Sequence, residues 1–122
     1  MLVPRGLVRA LLALAIVLSA SSALAQSGFR ISYDVDKSRP DKARLNGRVA
    51  NERSQDVFEV SVTAEALDAR GKVLARGISY VDSRIGSGDS RQFSVTVPTV
   101  AGVTEFRVLV SSYRLGIANQ GP

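Results

Sequence analysis

The stretch FEVSVTAEALDARGKVLARG, Phe58 to Gly77, decides the predicted fold, because it has the pattern of two strands joined by a tight turn. Apolar residues occupy every second position from Phe58 to Ala66, and polar residues fill the positions between them. This period of two predicts a strand with one buried face. At Leu67 the alternation shifts by one residue, which indicates a β-bulge or the start of the turn. Asp68 to Gly71 form the predicted turn, since Gly71 can adopt the positive φ that closes a four-residue hairpin loop.

The same alternation continues on both sides of this hairpin. Predicted strands are FRISYDVD at 29–36, ARLNGRVAN at 43–51, the return strand at 72–81, RQFSVTV at 91–97 and TEFRVLVSSYR at 104–114. Polar or glycine-rich connections separate them at 37–42, 51–56 and 82–90, and Pro98 is predicted to end a strand. Six short strands joined by turns predict a small all-β domain, an antiparallel β-sandwich over residues 26–115. A small closed barrel is the alternative, and residues 116–122 are predicted to form a flexible tail.

The first 25 residues have the pattern of a secretory signal peptide. Arg5 and Arg9 form a basic start, an unbroken apolar run follows from Leu11 to Leu18, and Ala23-Leu24-Ala25 is a small-x-small cleavage site. We expect cleavage between Ala25 and Gln26. An uncleaved anchor is the alternative, but a membrane span needs about 20 apolar residues and this run is shorter. The expected location is therefore the bacterial periplasm or the outside of the cell, with no transmembrane segment in the mature chain.

The charge of the chain limits the class of partner, and its lack of cysteine limits how the domain can be stabilised. The chain has 16 basic and 11 acidic residues, a net charge of +5, and loss of the two leader arginines lowers it to +3. Arginines and acidic residues alternate along most of the chain, as on an ordinary solvated surface, so we do not expect a nucleic-acid partner. There is no cysteine, so a packed core and not disulfides must stabilise this exported domain.

Three motifs together resemble a known family. They are Gly47-x-Val49-x-Asn51, then Asp68-x-x-Gly71-Lys72-Val73, then Ile85-x-x-Gly88-Asp89-Ser90-x-x-Phe93. This order, around one long alternating strand, resembles the FxLYD domain over Leu45 to Val97. The resemblance implies an immunoglobulin-like β-sandwich of six to seven strands in an exported protein, with no common catalytic activity.

Each matched residue also has a sufficient structural role. Gly47 and Gly88 suit close packing or turn backbone, and Asp68 can cap the hairpin with its own side chain. Phe93 suits the core. We therefore interpret these positions as architecture.

The residues available for catalysis are few. Histidine and cysteine are both absent, which excludes Ser-His-Asp triads, thiol catalysis and the usual zinc, copper and haem sites. No Ser-x-x-Lys motif occurs, and the glycine-rich stretch Gly86 to Ser90 lacks the Lys-Ser/Thr ending of a phosphate-binding loop. We therefore expect neither an enzyme nor a cofactor.

Three carboxylates are weak candidates for a calcium site. Asp34 and Asp36 share one face of a predicted strand, and Asp41 lies in the loop that follows. Calcium takes about six or more oxygen ligands, so three acidic residues more simply serve as charges that protect an edge strand from aggregation.

These observations favour a non-catalytic protein-interaction or structural module of the bacterial cell envelope. Its expected partner is another envelope protein, bound through an exposed strand edge or one set of end loops. The alternative is a small-ligand or calcium-binding periplasmic domain.

Overall fold

A computed structural model of the chain describes residues 21–26 and 28–116. Within these ranges the chain is all-β, with two sheets and no α-helix, so the predicted β-sandwich is confirmed. The described residues contain no helix that is long and apolar enough to cross a membrane. The strands are β1 (Ser21–Gln26), β2 (Phe29–Asp36), β3 (Lys42–Asn51), β4 (Val57–Leu67), β5 (Val73–Ile85), β6 (Ser90–Pro98) and β7 (Glu105–Leu115).

The first sheet has the strand order β1-β2-β3-β6, and the second has the order β5-β4-β7. All neighbouring strands are antiparallel. The chain crosses between the sheets after β3, β5 and β6. One end of the sandwich therefore carries the loops at 37–41, 68–72 and 99–104. Backbone hydrogen bonds join these loops, from Thr99 N to the Asp41 carbonyl at 3.0 Å and from Thr104 N to the Leu67 carbonyl at 2.8 Å.

The core lies between the inward faces of both sheets, where the predicted alternation places it. In β2 the buried and exposed side chains alternate from Phe29 to Asp34, and in β6 they alternate from Gln92 to Pro98. Burial of this apolar surface is the main stabilising contribution in a chain without disulfides. Fully buried side chains of the core include Ile31, Leu45, Val49, Val57, Val60, Val62, Ile85, Val97 and Val108.

The prediction for the start of β4 was wrong. Val57 and Val60 are both fully buried, whereas Phe58, predicted to point inward, is only half-buried. Between them Glu59 has a φ of 54°. Before Ser61 the register of β4 shifts against both of its neighbours, β5 and β7. A bulge inserts one extra residue, so the side chains before it change face. The shift predicted near Leu67 is confirmed, because the pairing with β5 is irregular between Ala66 and Leu67.

The prediction for the second connection was also partly wrong. Residues 82–85 were assigned to a loop, but β5 continues through them to Ile85, which pairs with Val57 and is fully buried. Asp82 lies within the strand, where it pairs with Val60 of β4, and its carboxylate forms a salt bridge with Arg91 of β6 at 2.8 Å. The actual turn is confined to residues 86–89.

The two sheets meet on one side of the sandwich. A Cβ atom on Gly77 of β5 would lie 1.9 Å from the carbonyl oxygen of Thr96 in β6, so only glycine permits this approach. On the other side, β2 and β7 are linked by a side chain, since the Tyr33 hydroxyl donates to the Phe106 carbonyl at 2.8 Å. The sandwich is therefore closed along β5 and β6 and has its free strand edges on the opposite side.

The predicted leader and tail lie largely outside the described residues. This applies to residues 1–20 and 117–122. Ser21–Gln26 form β1, which pairs with β2 from Ser21 opposite Asp34 to Gln26 opposite Phe29. The predicted cleavage site between Ala25 and Gln26 thus falls near the end of β1, and cleavage there remains a prediction.

Candidate binding site at the basic end of the sandwich

Asn51, at the end of β3, is a structural residue. Its side chain is fully buried, and Nδ2 donates to the carbonyls of Gln55 at 2.8 Å and Ile85 at 3.1 Å. Its Oδ1 accepts a hydrogen bond from Arg53 N at 3.0 Å, and its backbone N donates to the Asp89 carbonyl at 2.8 Å. The side chain of Asn51 therefore fixes the turn after β3 and the end of β5, and its backbone N fixes the turn before β6.

The hairpin residues have the structural roles that the sequence predicts. Asp68 Oδ1 accepts hydrogen bonds from Arg70 N at 2.8 Å and Lys72 N at 2.9 Å, and Gly71 has a φ of 83°. A Cβ atom on Gly47 of β3 would lie 2.1 Å from the carbonyl oxygen of Ser32 in β2, so the absence of a side chain at this position permits the close packing. The other matched positions serve the turn or the core, with a positive φ at Gly88 and buried side chains at Val49, Ile85 and Phe93.

The three candidate calcium ligands do not converge. Within residues 21–26 and 28–116, no three acidic side chains are grouped so that they could hold one ion. Asp36 instead accepts a hydrogen bond from Ser38 N at 2.8 Å. Hydrogen bonds from Ser38, with smaller contributions from the charges of Arg44 and Arg39, lower the pKa of Asp36. Asp34 is exposed on the outer face of β2, and Asp41 is exposed in the following loop.

Three outward-facing arginines of the predicted strands, Arg44, Arg48 and Arg107, do not form one patch. Arg44 and Arg48 lie on β3 in the first sheet, whereas Arg107 lies on β7 in the second. Arg107 is already paired, because its Nη2 contacts Glu65 Oε1 at 2.5 Å. The basic surface of interest includes Arg44 but not Arg48 or Arg107, and it lies at the end of the sandwich that carries the loop at 37–41.

A cleft of about 300 Å³ opens at this end. It forms because β3 pairs with β6, with Lys42 opposite Pro98, so that the loop after β2 lies beside the loop after β6. Its apolar lining includes Val103 and Phe106, and Lys37 Nζ lies 5.7 Å from the centre of the Phe106 ring. We call this cavity the end cleft; it is lined by Lys37, Arg39, Pro40, Lys42, Ala43, Pro98, Thr99, Val100, Val103 and Phe106.

A smaller polar hollow of about 190 Å³ adjoins the end cleft. The two cavities share Arg39 and Lys42, and the hollow adds Arg44 together with Asp36 and Ser38. Arg39 and Lys42 thus lie between the two cavities, with Lys37 on the apolar side and Arg44 on the polar side. We call these four residues the end cations: Lys37, Arg39, Lys42 and Arg44.

The end cations differ electrostatically from five of the nine other arginines among the described residues, whereas Arg48, Arg70 and Arg114 also form no salt bridge. None of the four forms a salt bridge with a carboxylate among the described residues, whereas five other arginines do so. The paired arginines are Arg30, Arg76, Arg84, Arg91 and Arg107. Positive charge at the end of the sandwich is therefore only partly compensated, and the local potential attracts anionic groups.

Sequence reasoning missed the end cleft. The cations and the apolar residues lie in two segments, 37–44 and 98–106, that are far apart in the chain. Only the pairing of β3 with β6 brings them together. The one local signal was the basic stretch KSRPDK, which by itself has the composition of an ordinary surface loop.

Comparison with known proteins leaves the family open. No protein-family model matches this chain, and no curated protein matches it. The similarity to the FxLYD domain therefore stays a prediction.

Proposed function

We propose that the protein is an exported, non-catalytic β-sandwich module of the bacterial cell envelope that binds an acidic segment of another envelope protein in the end cleft. The observation that carries this proposal is the combination of an apolar cavity with four cations that form no salt bridge among the described residues. The charges of two of them, Arg44 and Arg39, act on Asp36 in the adjoining hollow and leave the positive charge only partly compensated. A segment with acidic and apolar residues matches both parts of such a site.

The two parts of the site have different roles in binding. Exposed ion pairs contribute about 0 to 1 kcal/mol each, so the end cations mainly attract and orient the partner. The apolar lining provides the surface whose burial holds the partner in place, at about 25 cal/mol per Å². Half-buried Val103 and Phe106 and exposed Val100 are the side chains that gain burial.

The distribution of perturbed carboxylates supports a role without catalysis. Glu65, Asp56 and Asp82 each have a lowered pKa, and in each case a hydrogen bond or salt bridge from an arginine contributes to it. All three lie on the strands or turns outside the end cleft. Asp36, whose pKa is also lowered, mainly by hydrogen bonds from Ser38, is the single perturbed carboxylate among the described residues that lines the adjoining hollow. The ion pairs with arginine stabilise a fold, whereas an acid and base pair for catalysis would face a common cavity.

Site-specific photocrosslinking tests the proposal. A photoreactive phenylalanine analogue replaces Val100 at the mouth of the end cleft in bacteria that produce the full chain, and adducts are identified by mass spectrometry. We expect an adduct with one envelope protein at Val100 and none at the control position, exposed Ser94 on the outer face of β6. An adduct with lipid only, with nothing, or equally at both positions contradicts the proposal.

Charge reversal separates the end cations from basic residues in general. Arg39→Glu combined with Lys42→Glu is expected to abolish the Val100 adduct, because the cations that orient the acidic segment are replaced by repelling charges. Arg48→Glu is the control, since Arg48 is an exposed cation on β3 outside the cleft. Loss of the adduct in both variants would indicate a general charge effect and not a site.

A further inference from the structure

The outer edge of β2 changes when the leader is removed. In the full chain β1 covers this edge, with all of its six residues paired to β2. Cleavage between Ala25 and Gln26 would remove Ser21–Ala25 and leave only Gln26 opposite Phe29. Most of β2 would then present unpaired backbone N–H and C=O groups. A regular open edge of this kind is a ready template for another strand.

The sequence of β2 is complementary to itself. If two copies pair in antiparallel fashion about a two-fold axis at Ser32, Arg30 of each copy lies opposite Asp34 of the other. These three side chains are exposed on the outer face, so each is available to the second copy. Opposite charges directly across two strands stabilise the pair, and this axis creates two such pairs.

The inward face of β2 is compatible with the same pairing. About this axis Ile31 lies opposite Tyr33, and Phe29 lies opposite Val35. All four are apolar or aromatic, and the first three positions from Phe29 to Tyr33 on this face are buried in each copy. The pairing thus keeps the alternation of apolar and polar faces across the joined sheets.

Two further charged residues, Glu52 and Arg48, lie next to outward-facing residues of β2. Arg30 Nε already contacts Glu52 Oε2 at 3.0 Å, and both side chains are about half exposed. The planar guanidinium has several donors, so Arg30 can bind Glu52 and a second carboxylate together. Arg48 of β3 lies beside Ser32, and its Nη1 donates to Ser90 Oγ at 2.9 Å, so its charged end is directed away from the β2 edge.

We infer that the mature chain forms a dimer with a second copy of itself through the edge of β2. The first sheets of both copies then become one continuous antiparallel sheet. Because the pairing is symmetric, the backbone N–H and C=O groups at the β2 edge of each copy find partners in the other copy. In the uncleaved chain β1 occupies the same edge, so assembly follows cleavage. This inference rests on the proposed export, and it concerns a surface separate from the end cleft.

A single cysteine tests the predicted axis. The chain has no cysteine of its own, so a Ser32→Cys variant has one reactive thiol per copy. The full chain is produced with its own leader, and the processed protein is purified, checked by intact mass and oxidised. We expect a disulfide-linked dimer, because the two-fold axis places both thiols opposite each other. Ser94→Cys, on exposed β6, is the matched control and is expected to remain monomeric.

Charge exchange tests the pairing without a covalent bond. Arg30→Asp or Asp34→Arg alone places like charges opposite each other twice, and each is expected to weaken dimerisation about tenfold in sedimentation velocity experiments. The variant that carries both substitutions restores opposite charges and is expected to recover the dimer. A role of these residues in folding alone would not give this recovery.

The outcomes separate the inference from the proposals on which it depends. Purified protein that retains Ser21–Ala25 overturns the proposed cleavage, and this inference with it. Protein that is cleaved but monomeric, with no Ser32→Cys dimer, overturns the pairing alone and leaves the end cleft untouched. Association of the cleaved chain with a different protein at Ser32→Cys also overturns it, because the edge would then serve another partner.

Discussion

At the scale of single residues, Asn51 connects separate backbone segments through one buried side chain. Its amide group makes three hydrogen bonds to backbone groups of Gln55, Ile85 and Arg53. We predict that Asn51→Ala lowers the free energy of unfolding by about 3 kcal/mol, because buried backbone groups lose their partners. Urea unfolding at neutral pH measures this difference.

The matched control for Asn51 lies on the same strand. Asn46 is exposed on the outer face of β3, and Asn46→Ala is expected to change the free energy of unfolding by at most about 0.5 kcal/mol. Similar losses in both variants would show that the hydrogen bonds of Asn51 contribute little.

Whether the sequence predicts the role of a residue depends on how far along the chain its hydrogen-bond partner lies. Asp68 and Gly71 were interpreted correctly, because Asp68 caps backbone groups within four residues of itself. Asn51 was expected to start a turn, but its bond to the Ile85 carbonyl spans 34 positions. Local rules for turns describe the first kind of contact and contain no information about the second.

At the scale of strands, Glu65 of β4 joins the three strands of the second sheet. Glu65 is only 8% exposed, and its carboxylate contacts Arg107 of β7 and Arg76 of β5. Mainly because of the hydrogen bond from Arg107, and also that from Arg76, the pKa of Glu65 is lowered from its ordinary value of 4.5. A lowered pKa in the folded state means that this contribution to stability is present at neutral pH. It is lost as the pH falls below about 4.5 and through the folded pKa.

We predict a pH-dependent effect of Glu65→Gln. The variant should lose about 1 kcal/mol of unfolding free energy at pH 7, a modest value because both arginines are about half exposed to solvent. As the pH falls below about 4.5 the difference from the native chain should shrink, since the unfolded state of the native chain then binds the Glu65 proton more readily than the folded state does. Urea unfolding at several pH values measures it, with exposed Glu105→Gln on β7 as the control. A difference that is constant with pH would contradict the assigned role.

The sequence predicted the strands better than their irregularities. Alternation located six strands, because a half-buried sheet requires a period of two along each of them. It failed at Glu59, where the backbone adopts a positive φ that glutamate rarely takes. The Glu59 carboxylate accepts a hydrogen bond from the Tyr80 hydroxyl at 2.7 Å, a contact with β5 that no local pattern contains.

At the scale of the whole molecule, the sandwich has one closed side and one open side. The closed side depends on Gly77 of β5, which lies against the Thr96 carbonyl of β6, and on the salt bridge between Asp82 and Arg91. Composition and alternation predicted two layers, but the strand order that creates the closed side, the β2 edge covered by β1 and the end cleft is a property of long-range pairing. For this reason the architecture was predictable and the candidate binding surfaces were not.

The closed side connects directly to the end cleft. Thr96 pairs with Arg44, and the next residues of β6 pair with Ala43 and Lys42 on the wall of the cleft. A Cβ atom at position 77 would displace the backbone of β6, which cannot move without disturbing these pairs. We therefore predict that Gly77→Ala costs about 2 kcal/mol or more of unfolding free energy and speeds hydrogen exchange in β6.

The same variant should also weaken photocrosslinking at Val100, because the wall of the end cleft shifts with β6. Urea unfolding and exchange measured by mass spectrometry test the first effect, and Ser79→Ala, two residues along β5 on the same side, is the control that adds no atom against β6. A Gly77→Ala protein with native stability and native exchange would show that β5 and β6 are not held together at this point. A destabilised protein with unchanged crosslinking would instead separate the closed side from the cleft, and binding would then depend on the loops at 37–41 and 99–104 alone.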